Sequence, residues 1–109
     1  MTLDELGALY AKLDRIEKYL FENATMITSK ALNKTFKQLE KIAKDLCEHC
    51  IKLGYFPSQL TIIDNEIEKM KKLFQETRID PFVLALKLVE LVNHIKNLTL
   101  ELMLFEAQC

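Results

Sequence analysis

Apolar residues recur at Leu6, Leu9, Leu13, Ile16 and Leu20, three and four positions apart, with Lys12, Arg15 and Lys18 between them. That spacing follows the 3.6-residue turn of a helix that lays one apolar stripe on a core. Ahead of it, Thr2 and Glu5 form a capping-box pattern, each side chain placed to satisfy a free backbone N–H at the helix start. The alternation returns at Leu32, Phe36, Leu39, Ala43, Leu46, Cys50 and Leu53. Gly54 follows as a C-cap, because a residue without Cβ accepts the left-handed conformation there. Tyr55, Phe56 and Pro57 make a corner, and Ser58 or Thr61 is placed to cap a third run at Ile63, Ile67, Met70 and Phe74. Asp80-Pro81 then supplies an N-cap and a proline at the first helical position. Period-two alternation is confined to a few residues around Leu98–Leu102. The pattern therefore predicts helices over residues 3–22, 28–53, 59–76 and 81–106 and no sheet.

Four amphipathic helices on short links predict an all-α chain, a single domain over residues 1–109. Packed in sequence order, they make an up-down-up-down antiparallel four-helix bundle. The fourth run carries more apolar surface than one core face needs. Leu84, Leu88, Leu91, Ile95, Leu98, Leu102 and Phe105 form the core stripe. Ala85, Val89, Val92, Leu100 and Met103 form a second arc beside it, and Lys87, Glu90, His94, Asn97 and Glu101 form the polar strip. A central position within one chain would use that second arc, and so would contact with a partner. The expectation adopted is a homodimer or protein-partner face made by Ala85, Val89, Val92, Leu100 and Met103.

Composition changes the picture in two places. The net charge is −1, so any electrostatic partner must be met by a local patch. Lys30, Lys34, Lys37, Lys41 and Lys44 supply one, a stripe on the outer face of the second helix suited to an anionic partner. Glu40, Asp45 and Glu48 dilute it, and neither arginine nor aromatic residues interleave with it, which argues against nucleic acid. Acidic first residues, an odd count of three cysteines and charges that interrupt every long apolar run predict a cytoplasmic protein without a membrane span.

Chemistry-bearing residues concentrate in Cys47-Glu48-His49-Cys50. A zinc site needs three or four converging ligands, whereas on a continuous helix Cys50 falls on the core stripe and Cys47 and His49 on opposite flanks. A redox pair needs the N-terminal end of a helix dipole, and this pair sits at the other end. His49-Cys50-Ile51-Lys52 resembles the H-x-x-K core of histidine phosphotransfer domains, which are four-helix bundles with the histidine on helix two. The resemblance implies that His49 accepts a phosphoryl group beside Lys52. It departs from that family at Leu53, where a glycine usually makes room for the phosphate. The reading that uses every residue of the segment is the end of a core helix. No metal, cofactor, catalytic residue or small-molecule substrate is expected, and the function expected is non-enzymatic protein–protein contact.

Overall fold

Capping chemistry sets three of the four helix starts. In the computed structural model, which describes residues 1–76 and 78–108, α1 spans Leu3–Asn23, α2 Ser29–Leu53, α3 Gln59–Gln75 and α4 Pro81–Ala107. The Glu5 N–H donates to Thr2 Oγ1 at 3.2 Å, and the Thr2 N–H donates to Glu5 Oε1 at 3.3 Å, completing the capping box. Thr28 Oγ1 accepts from the Ala31 N–H at 3.1 Å to start α2. Gly54 closes it with φ 67°, the left-handed value that its missing Cβ permits. Asp80 accepts from the Phe82 N–H at 2.9 Å, with Pro81 behind it. At α3 the expected side-chain cap is missing: Ser58 is the N-cap but its hydroxyl makes no capping bond, and Thr61 lies inside the helix.

Among the described residues helix is the only regular secondary structure, and the core is built from the four apolar stripes. Leu6, Leu13 and Leu20 of α1, Leu32, Leu39, Leu46 and Cys50 of α2, and Leu88, Leu91, Ile95, Leu98 and Leu102 of α4 have no exposed surface. Each large apolar side chain so enclosed is worth about 1.5–3 kcal/mol, so these stripes dominate the folding energy.

α4 packs against each of the other helices, and most extensively against α1, the element farthest from it in sequence. Positions that rise along α1 meet positions that fall along α4. Met103 Cε lies 3.9 Å from where a Cβ on Gly7 would stand, and Lys96 Nζ donates to Asp14 Oδ1 at 2.9 Å. Between α2 and α3, Phe36 stacks on Phe74 with ring centroids 5.1 Å apart, and Lys71 bridges to Glu40 at 3.2 Å. α1 and α2, neighbours in sequence, do not form a closely packed pair, and a groove of about 550 Å³ opens between them.

Candidate functional site

The central position of α4 decides which of its apolar residues remain outside. Ala85 and Val92, read from sequence as part of a partner face, are wholly enclosed within the chain. Val89 and Met103 pack partly against the core, and only Leu100 of the five is exposed. The cause is α1, which covers that flank. Lys96 reaches across to Asp14 and, at 3.6 Å, to Glu17, and its Nζ stands 5.2 Å from the centre of the Tyr10 ring. The hydrogen bond from Lys96 lowers the Asp14 pKa, and the same bond holds the Lys96 pKa above its ordinary value, against the opposing effect of burial.

Apart from exposed Val83, the large apolar side chains that α4 leaves outside lie further round. Phe82, Leu86, Leu100 and Leu104 are 41, 38, 45 and 58 % exposed. At about 100° per residue they fall within an arc of about 60°, together with the exposed amides Asn93 and Asn97. A solvent-facing helix normally fills this arc with charged residues. None of these six positions carries a charge.

His49 is the residue whose surroundings differ most from the sequence expectation. It is buried rather than flanking, and both ring nitrogens are engaged. With its hydrogen on Nε2, the ring donates to Glu106 Oε1 at 3.1 Å, while Nδ1 accepts from the Met1 nitrogen at 3.2 Å. The cluster joins the start of α1 to the ends of α2 and α4, and Tyr55 stacks on Phe105 beside it at 4.6 Å. A phosphoryl group on His49 would have to displace one of these partners and sit against a carboxylate. Lys52, the cation of the H-x-x-K pattern, points to solvent.

Cys50 is enclosed and Cys47 half-buried, both as free thiols. Burial raises both pKa values. Asp64 and Glu48 add to the effect at Cys47, and Cys47 and Glu101 add to it at Cys50. Neither is poised as a thiolate nucleophile. Among the described residues no three His, Cys, Asp or Glu side chains gather so as to hold a metal ion, and Cys109 lies outside those residues. His94, placed by sequence on the polar strip, is half-buried, and its Nδ1 meets no hydrogen-bond partner among the described residues.

The lysine stripe is exposed along its length, at Lys30, Lys34, Lys37, Lys41 and Lys44. Sequence reasoning missed its neighbours across the groove. Lys12 and Arg15 of α1 line the same groove as Lys34, with Tyr19 beside them. No helix among the described residues is long and apolar enough to cross a membrane. Comparison with protein-family models, with curated proteins and with solved structures returned no match.

Proposed function

We propose that this chain works by protein–protein contact rather than by catalysis, as a single up-down-up-down antiparallel four-helix bundle whose contact surface is the outer face of α4. The roles this suits are an adaptor, a chaperone-like protein, an inhibitor or a self-assembling subunit, acting in the cytoplasm. The opposed registers of Gly7 with Met103 and Asp14 with Lys96, and of Phe36 with Phe74 and Glu40 with Lys71, support the antiparallel arrangement. One observation carries the functional reading: four large apolar side chains share one uncharged, exposed arc of a helix. Single exposed leucines are ordinary, whereas a contiguous strip is the mark of an interaction surface.

A photo-crosslinking amino acid at position 86 or 100, introduced in cells, tests this. Covalent adducts to protein are expected at both positions and not at Lys69, an exposed site on α3. Their absence at 86 and 100 would overturn the reading.

A second reading is favoured by the groove in which Lys12, Arg15 and Lys34 converge. Three cations on two helices suit an acidic segment of a partner better than a lone stripe does. Weak nucleic-acid binding is the variant with the same electrostatics, and its affinity would fall steeply with salt. A titration of RNA, DNA and an acidic peptide across a salt series separates them, and salt-insensitive or undetectable binding of all three removes both.

A further inference from the structure

The exposed apolar positions of this arc of α4 are arranged symmetrically about Asn93. Phe82 and Leu104 stand eleven residues either side of it, and Leu86 and Leu100 stand seven either side. With Val89 and Asn97 included, the seam runs with spacings of four, three, four, four, three and four, which read the same in both directions. We propose that the occupant of this face is a second copy of the chain, its α4 laid antiparallel across the first about a twofold axis at Asn93. The proposal rests on the contact reading above and names the partner.

A twofold interface is isologous, so its surface must complement itself. When the helix is reversed about Asn93, Phe82 faces Leu104 of the second copy and Leu86 faces its Leu100. Mirror symmetry of the spacing is demanded only by antiparallel pairing, since a parallel pair matches like with like whatever the spacing. Antiparallel pairing also sets the two helix dipoles against each other.

Asn93 falls on the axis and meets its own counterpart. An amide donates and accepts, so two asparagines satisfy each other, and a single buried asparagine pair fixes register at some cost in affinity. No seam position is charged, so closing it desolvates no ion.

The seam is about 33 Å long at 1.5 Å per residue, on a helix about 10 Å across. Such a strip buries on the order of 500 Å² per copy, near the roughly 1,000 Å² total that marks a specific interface. Along the register set by Gly7 and Asp14, exposed Phe21 of α1 comes level with Val89, which widens the strip. An interface of this size lies at the small end of specific contacts, where weak, transient association is common.

Sedimentation equilibrium of the full chain over a concentration series tests the pairing, with circular dichroism confirming that each variant remains helical. A dimer is expected at tens of micromolar, with association weakened more than about tenfold by either Leu86→Lys or Leu100→Glu, because each buries an unpaired charge twice. Mixing those two variants should restore association, since Lys at 86 then faces Glu at 100 of the other copy. Mixing Leu86→Lys with Leu86→Glu should not. Restoration in the second mixture, or a dimer indifferent to both substitutions, would overturn the antiparallel seam. A wild-type chain that stays monomeric overturns the pairing alone. The contact reading then stands or falls on the cellular crosslinks, which it survives if they join positions 86 and 100 to a different chain.

Discussion

Val92 and Leu100 lie eight residues apart on α4, and the structure assigns them opposite fates: Val92 has no exposed surface and Leu100 is 45 % exposed. Replacing Val92 with alanine removes two carbons, a transfer loss of about 1.6 kcal/mol at about 0.8 kcal/mol per group. The roughly 50 Å³ vacated adds about 1.2 kcal/mol at about 24 cal/mol per Å³ if the surroundings do not collapse. The total, about 2–3 kcal/mol, is a large part of the 5–15 kcal/mol that holds a typical domain together. It corresponds to a fall in Tm of about 10–20 °C for a domain of this size.

Val92→Asp is more severe, because an unpaired carboxylate beneath α1 costs several kcal/mol or must take up a proton. Leu100→Asp should stay within about 1 kcal/mol of wild type. Urea denaturation followed by circular dichroism measures all three. It should be run at the lowest workable concentration, so that self-association does not add to the apparent stability. If Leu100→Asp unfolds the chain while Val92→Asp leaves it intact, α1 does not cover that flank of α4. The assignment of the outer strip would then fall with it.

Two further outcomes follow from the Lys96–Asp14 ion pair and from the surroundings of His49. Lys96→Met should be less stable than wild type at neutral pH, with the difference shrinking towards both extremes. The raised Lys96 pKa contributes stability below the ordinary value of 10.5 that is lost as pH rises through its higher folded value. The lowered Asp14 pKa contributes stability above 3.8 that is lost as pH falls through its lower folded value. Thermal melts across the pH range check this, and a difference that is flat at both ends would show the ion pair to be inert. Incubation with acetyl phosphate should leave the intact mass unchanged, because both nitrogens of His49 are occupied. A phosphoryl adduct mapped to His49 would show that the His49–Glu106 contact opens readily and would revive the phosphotransfer reading.

What the sequence disclosed and what it hid divide along one physical line. A heptad stripe shows which side of a helix meets the core, so Leu6, Leu13 and Leu20 or Leu32, Leu39 and Leu46 were legible, as was the left-handed cap at Gly54. It does not show how many neighbours a helix has, and that number decides whether the next column round the helix is core or surface. On α4 the next column is Ala85, Val92 and Thr99, all fully enclosed, with Glu106 one heptad further. On α2 it is Thr35, Ile42 and His49, all buried. Polar Thr35 and His49 hid the α2 column from a hydrophobic reading, whereas the α4 column was read as apolar but assigned to a partner. Two of the buried polar residues satisfy themselves locally: the Thr99 hydroxyl donates to the Ile95 carbonyl at 2.8 Å and the Thr35 hydroxyl to the Ala31 carbonyl at 3.0 Å.

The ends of the two columns, His49 and Glu106, satisfy each other across 57 residues. The available signal was the seven-residue step from Ile42 to His49 and from Val92 through Thr99 to Glu106. Close packing of α1, the first helix, with α4, the last, was not legible, because no link joins them to reveal it. That packing accounts for the surplus hydrophobicity of α4. The stripe from Leu84 to Leu102 and the column of Ala85 and Val92 go to the core, and one strip, from Phe82 to Leu104, stays exposed among the described residues. The strip became visible only after α1 had claimed the arc that the sequence offered first.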